Sequence, residues 1–237
     1  SNPARKLCAD LTRAWRVKTQ RPTCANKSSA AMSRYDAIDD YVYPGTTVLR
    51  NKAGIQDQAA LDAFEADATA VRMLELLEQP IPGTYDFAHL CAMHRHLFQD
   101  VYEWAGEIRT VDISRDASRF ANASRIESYL VGELRKLPAE NWLRGLHPEA
   151  FVARLAHYMG EINATHPFRE GNGRTQRVYC ALLAEKAGYF IDFESLDQAR
   201  MYHVMIASFN GDAKPLAALL LNITSIICVD DGTSAQT

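Results

Sequence analysis

The 237-residue chain is predicted to be all-α, a helical bundle interrupted by one short β-hairpin. Three observations carry this. Through most of residues 56–227 the apolar side chains recur three or four positions apart, the period of a helix with one face inward. Residues 108–120 break that period and alternate instead. No apolar run approaches the roughly twenty residues of a membrane-crossing helix.

The elements follow in order. Gln56 to Glu78 places Leu61, Phe64, Ala68, Val71, Leu74 and Leu77 at helical spacing, and Pro80-Ile81-Pro82-Gly83 ends it. Asp86 to Tyr102 is a second helix with Phe87, Leu90, Met93, Leu97 and Phe98 inward. His94 and His96 lie two apart on it, on different faces, which argues against a shared metal. From Arg109 to Ile113 the residues alternate, Arg115-Asp116 offers a turn, and Ser118-Arg119-Phe120 resumes, which is a hairpin. Ser124 to Leu137 is helical, opened by Ser124 with Glu127 in a capping-box pattern. Glu149 to Thr165 carries Phe151, Leu155, Met159 and Ile162 on one face and ends at His166. Gly173 to Ala187 follows, closing at Gly188. Two more helices are expected over Ser195 to Phe209 and Ala213 to Ile227.

Composition bounds the protein class. Hydrophobic residues make up 47% and charged residues 23%, the balance of a folded globular protein and not of a disordered chain. The five cysteines are widely spaced, with no Cys-x-x-Cys and no zinc spacing. Cys91 and Cys180 fall in apolar helical stretches and read as core residues. A reducing compartment, the cytoplasm, is the expectation. Charge is uneven: residues 1–35 carry +7 and the remainder −10. The basic stretch lacks apolar periodicity and the apolar core of a signal peptide. It is read as a flexible arm over 1–35, or as sequence upstream of a start at Met32, ahead of a localisation or nucleic-acid-binding role. A folded domain over 36–228 and a polar tail over 229–237 complete the division.

The densest chemistry lies in His166-Pro167-Phe168-Arg169-Glu170-Gly171-Asn172-Gly173-Arg174-Thr175-Gln176-Arg177. Gly171 and Gly173 permit a tight turn and close approach of backbone to a ligand. They stand where a helix begins, and a helix start offers unpaired N–H groups and partial positive charge to phosphate oxygens. Asn172 adds a neutral donor. Arg174 and Arg177 emerge together on the first turns, suited to gripping outer phosphates. Glu170, a lone carboxylate beside bound phosphates, is the usual protein share of a Mg2+ site. His166 has the side chain suited to taking a proton from an attacking hydroxyl. Each part alone has a bland reading: a histidine at a helix end as a cap, a G-x-G as a turn, two arginines as a solvated face. Their order along one segment is what a bound phosphate chain would explain.

These twelve residues resemble the signature of the Fic family, His-Pro-Phe-x-(Asp/Glu)-Gly-Asn-Gly-Arg-x-x-Arg, at every fixed position. Tyr43-Pro-Gly-Thr-Thr-Val-Leu-Arg-Asn-Lys52 and Val101-Tyr-Glu-Trp-Ala-Gly106 followed by Arg109 resemble flanking segments of that family. The resemblance extends from about Tyr41 to about Ile223 and implies the Fic fold, a helical bundle with a β-hairpin flap. It implies transfer of AMP from ATP to a hydroxyl side chain of a target protein, with pyrophosphate released. By the resemblance His166 is the base and Glu170 the Mg2+ ligand. Gly171, Asn172 and Gly173 form the anion hole, Arg174 contacts the β-phosphate and Arg177 grips the γ-phosphate. Residues 112–120 become a flap that pairs with a strand of the target, and Arg119 and Phe120 touch nucleotide or target. Phe120 could equally pin the hairpin to the bundle.

Regulation is read from a missing pattern. Inhibitory helices in many family members carry Ser/Thr-x-x-x-Glu-Gly/Asn. Here Glu precedes Gly or Asn only at Glu140-Asn141 and Glu170-Gly171, with Lys136 and His166 four residues upstream. The chain therefore resembles a toxin whose separate, small antitoxin supplies a glutamate to Arg177. The ATPase subunit of a type II topoisomerase is the first target expected; no membrane or nucleic-acid partner is. Rival readings are transfer of UMP or phosphocholine from the same site, and a non-catalytic nucleotide-binding regulator.

Overall fold

A computed structural model describes residues 39–115 and 118–227. The expectations for the arm over 1–35 and the tail over 229–237 lie outside the described residues. Within them the chain forms α1 (Gln58–Glu78), α2 (Phe87–Phe98), β1 (Ser114–Arg115), β2 (Ser118–Arg119), α3 (Ile126–Leu134), α4 (Pro148–Thr165), α5 (Asn172–Ala187), β3 (Tyr189–Ile191), α6 (Gln198–Phe209), α7 (Lys214–Leu221) and β4 (Thr224–Ile226). This is the expected helical bundle with a small antiparallel hairpin, in which Ser114 faces Arg119 and Arg115 faces Ser118.

The helix starts are set by side chains. Asp57 and Asp86 cap α1 and α2, accepting from the N–H groups of Ala60 and His89, and Asp197 caps α6. The capping box expected at Ser124 does not form. Asn122 accepts from the Ser124 N–H and opens a 3-10 turn over Ala123–Arg125 that leads into α3. The helix expected to reach Ile227 stops at Leu221, because Thr224–Ile226 pairs antiparallel with Tyr189–Ile191. Branched Ile223, Thr224, Ile226 and Ile227 favour that extended pairing.

The core lies between α4, α5 and α2. The inward residues expected on α2 and α4 are buried, among them Leu90, Met93, Leu97, Phe151, Leu155 and Met159. Cys180 is buried as expected, while Cys91 is only half-buried.

Helix α1 departs from its expected face. Its buried residues are Leu61, Glu65, Thr69, Ala70, Met73 and Leu76, and Val71 is 55% exposed. The helix is rotated by about one position because Glu65 and Thr69 are needed inside, where an arginine of α5 meets them.

Candidate active site

The twelve-residue segment joins the C-terminus of α4 to the N-terminus of α5. His166 is the C-cap of α4 and adopts left-handed backbone angles (φ 46, ψ 65), an arrangement costing a residue with a Cβ about 1 kcal/mol. Its backbone N–H closes on Ile162 O at 3.0 Å. Its ring is fixed on two sides. Nδ1 lies 3.2 Å from the Asn163 carbonyl, and the Phe120 ring stacks on it at 3.9 Å between centroids. With the proton on Nδ1 donated to that carbonyl, the basic lone pair is on Nε2.

The loop is held from within. Phe168 is buried, a side chain whose removal from water contributes about 2 kcal/mol. Asn172, also buried, braces it: Oδ1 accepts from the Phe168 N–H at 2.9 Å, and Nδ2 donates to the Phe168 carbonyl at 2.7 Å. The carboxamide expected to face a ligand thus ties the loop together, and Asn172 contributes to the helix start through its backbone N–H. Gly171 caps α5 at φ 81, and a Cβ there would come 2.2 Å from Phe98 Cζ. Gly173 is exposed at the first turn.

Around that helix start the charged groups gather. Glu170 Oε1 accepts from the Gly171 N–H at 3.0 Å and lies 3.8 Å from Arg174 Nη2. Arg174 lies over the Phe98 ring at 4.7 Å, pairs through Nη2 with Glu65, and donates from Nη1 to the Thr69 hydroxyl at 3.3 Å. The Tyr102 hydroxyl donates to the other Glu65 oxygen. Arg177 folds back along the first turn, so that a Cβ on Gly173 would be 3.5 Å from its Nη1. Burial and the neighbouring Arg174 push its guanidinium down to about 10, still cationic at neutral pH. Glu170 is the carboxylate that could hold a metal. No cluster of three metal-ligating side chains occurs among the described residues, so a Mg2+ ion here would take its remaining ligands from phosphate oxygens and water.

The seven motif residues expected in the site and Phe120 thus lie on one segment and its immediate neighbours. Phe120 meets His166. The sequence reading missed three supporting residues. His94 of α2 is fully buried and stacks on Phe168 at 3.8 Å. Its Nδ1 accepts from the Gly106 N–H at 2.8 Å, so its Nε2–H donates to the Glu170 carbonyl, 3.0 Å away. Burial pushes this imidazole down to about 3. Glu65 and Arg109 are the others. Arg109 was expected on an alternating strand leading into the flap. It is instead fully buried, outside the ladder, with its guanidinium on backbone carbonyls. For His94 and Glu65 a signal existed, since each stands on the apolar stripe of its helix; Arg109 is marked only by the family resemblance of its segment, and nothing in the local pattern signals its burial.

Comparison with known proteins gives a consistent result. Residues 84–184 match the model of the Fic/DOC family. The chain is 43% identical over 190 residues to the protein adenylyltransferase VbhT of Bartonella schoenbuchensis, spanning 80% of this chain and 40% of that one. It is 46% identical over 189 residues to y4lH of Sinorhizobium fredii, named a probable protein adenylyltransferase, spanning 79% of this chain and 97% of that one. Among solved structures, the N-terminal Fic domain of a Bartonella quintana effector with bound ADP superposes at a TM-score of 0.73. It is 32% identical, with 78% of this chain and 94% of that one covered. BepC of Bartonella tribocorum with bound AMPPNP gives the same TM-score at 29% identity, covering 78% of this chain and 96% of that one.

Proposed function

The chain belongs to the Fic/DOC family, and from that membership and the geometry of its site we infer that it is a protein adenylyltransferase. One observation carries the reading: the start of α5 and the end of α4 set backbone donors, two arginines, a carboxylate and an imidazole along one loop. The backbone N–H groups of Asn172 and Gly173 receive α- and β-phosphate oxygens, and that of Gly171 joins them once Glu170 Oε1, which accepts from it at 3.0 Å, turns away. Arg174 holds the β-phosphate and Arg177 the γ-phosphate. His166 Nε2 takes the proton of the target hydroxyl. The hydroxyl oxygen then bonds to the α-phosphorus as the bond to the β-phosphate oxygen breaks, and pyrophosphate leaves with the electron pair. Glu170 would hold Mg2+, which would supply positive charge to offset that developing on the phosphates. Phe120 keeps the His166 ring in place from the flap side, and the β1–β2 ribbon offers an edge to a strand of the target. BepC with bound AMPPNP and the effector domain with bound ADP support nucleotide binding by a protein of this fold.

The same reading extends to control. Within these 237 residues no Ser/Thr-x-x-x-Glu-Gly/Asn pattern occurs, which supports a toxin held by a separate small protein that places a glutamate on Arg177. The ATPase subunit of a type II topoisomerase is the first target to test. No helix among the described residues is long and apolar enough to cross a membrane.

Incubating the enzyme with ATP, Mg2+ and cell lysate, followed by mass spectrometry, tests the activity: an AMP adduct on a Tyr, Ser or Thr side chain is expected. A UMP or phosphocholine adduct, or nucleotide binding with no adduct, would replace this reading by one of its rivals. Expression without a partner protein is expected to arrest growth; harmless expression of active enzyme would remove the toxin reading.

A further inference from the structure

Arg109 is among the largest fully buried side chains of the protein. Burying a guanidinium is costly unless its donors are met. The Asp112 carboxylate lies beside it, but Oδ1 is 3.9 Å from Nη1, beyond hydrogen-bond reach. The donors go to four main-chain carbonyls instead. Nε donates to His166 at 2.8 Å, Nη1 to Val111 at 2.6 Å, and Nη2 to Ala121 at 2.5 Å and Thr165 at 3.0 Å.

Those carbonyls belong to two places. Thr165 and His166 end α4, where the helix dipole leaves partial negative charge that suits a cation. Val111 and Ala121 flank the β1–β2 hairpin, one on each limb. Main-chain bonds complete the joint: the Arg109 N–H donates to Pro167 O at 2.9 Å, and the Ala121 N–H to Ala164 O at 3.2 Å. Phe120, next to Ala121, stacks on the His166 ring. One guanidinium therefore holds the left-handed His166 backbone and both limbs of the hairpin.

We propose that Arg109 is a positioning residue for AMP transfer, locking the His166 imidazole and the flap into one fixed relation. This rests on the reading that His166 takes the proton and that the hairpin receives the target. Packing alone would need no cation here, and a lysine ammonium lacks the planar fork that reaches carbonyls on both sides. The nucleotide groups on α5 do not touch Arg109, so its loss is expected to separate transfer from nucleotide binding.

The test uses the full chain with Arg109→Lys and Arg109→Met. AMPPNP affinity is measured by calorimetry, AMP transfer to lysate proteins with labelled ATP, and the His166 imidazole by 15N-histidine NMR. Expected are AMPPNP affinity close to wild type, transfer slowed about 100-fold, as an ångström-scale misplacement gives, and displaced His166 ring signals. Wild-type ring signals with wild-type transfer would overturn the proposal. So would parallel loss of AMPPNP binding and transfer, the mark of a merely structural role. Should both variants fail to fold, the wild-type guanidinium spectrum decides: separately resolved Nη signals from hindered rotation are expected, and one averaged signal overturns the proposal. A wild-type enzyme that transfers no AMP, but whose ring signals move in the variants, removes the activity reading and leaves this coupling supported.

Discussion

Arg174 of α5 and Glu65 of α1 form a largely buried ion pair beside the start of α5, with side chains 12% and 6% exposed. The carboxylate is shared with the Tyr102 hydroxyl, which burial and the neighbouring Glu65 charge hold far above its ordinary range, so it stays a donor. The arginine proposed to hold the β-phosphate thus rests on an internal anion.

Removing that anion has a predictable sign. Glu65→Gln removes the nearer counter-charge and leaves the guanidinium only the Glu170 carboxylate, 3.8 Å away, a loss of up to about 3 kcal/mol. A bound phosphate chain resupplies the charge. The variant is expected to melt lower than wild type and to gain more than wild type does on adding AMPPNP. Equal thermal shifts in the two proteins would mean that Arg174 does not meet the nucleotide.

Acid sensitivity should trace to His94. Its ordinary value is 6.5 and the folded protein holds it at about 3, so the unfolded chain binds a proton that the folded one refuses. Its stabilising contribution is full above about pH 6.5 and is lost as pH falls toward 3, by about 1.4 kcal/mol per unit. Carboxylates held low by partners, such as Glu140 with Arg154, titrate below their ordinary 4.5, so pH 6.5 to 5 is clear of them. His89 is also lowered by burial and shares the window. Urea midpoints across this range should fall more steeply in wild type than in His94→Gln. Identical slopes would contradict the buried neutral imidazole.

The two motif glycines should behave differently. A methyl at Gly171 meets Phe98 Cζ at 2.2 Å on a backbone at φ +81, whereas at Gly173 its first contact is Arg177 Nη1 at 3.5 Å. Gly171→Ala is expected to distort the loop and abolish AMPPNP binding in calorimetry. Gly173→Ala should fold normally and bind more weakly, because only the approach of phosphate is hindered. A tight-binding Gly171→Ala would show that the loop is not held as described.

His166 and Phe120 should separate chemistry from positioning. His166→Ala is expected to slow transfer about 100- to 10,000-fold with AMPPNP affinity retained. Phe120→Ala removes only the ring stacked at 3.9 Å, and about a tenfold loss is expected. Full transfer by His166→Ala would end the assignment of the base.

How much of this could be read in advance differs by residue. The face of α2 was legible because Leu90, Met93 and Leu97 are apolar and their spacing alone assigns the inside. On α1 the same rule selected Val71 and passed over Glu65, since periodicity counts a carboxylate as solvent-facing whatever awaits it inside. The residue type of Asn172 suits a ligand donor, yet its carboxamide is spent on Phe168. The ladder of β3 with β4 joins residues more than thirty apart, a pairing that local propensity does not specify.

The sequence by itself determined the helices, the family and the order of reactive groups from His166 to Arg177, because period and motif are properties of neighbouring residues. Only the tertiary structure decided that Glu65 neutralises Arg174, that His94 supports Glu170, and that Arg109 joins His166 to the flap. Each of these is a buried polar contact between segments distant in the chain. Its existence depends on which desolvated donor finds which acceptor once the helices have packed.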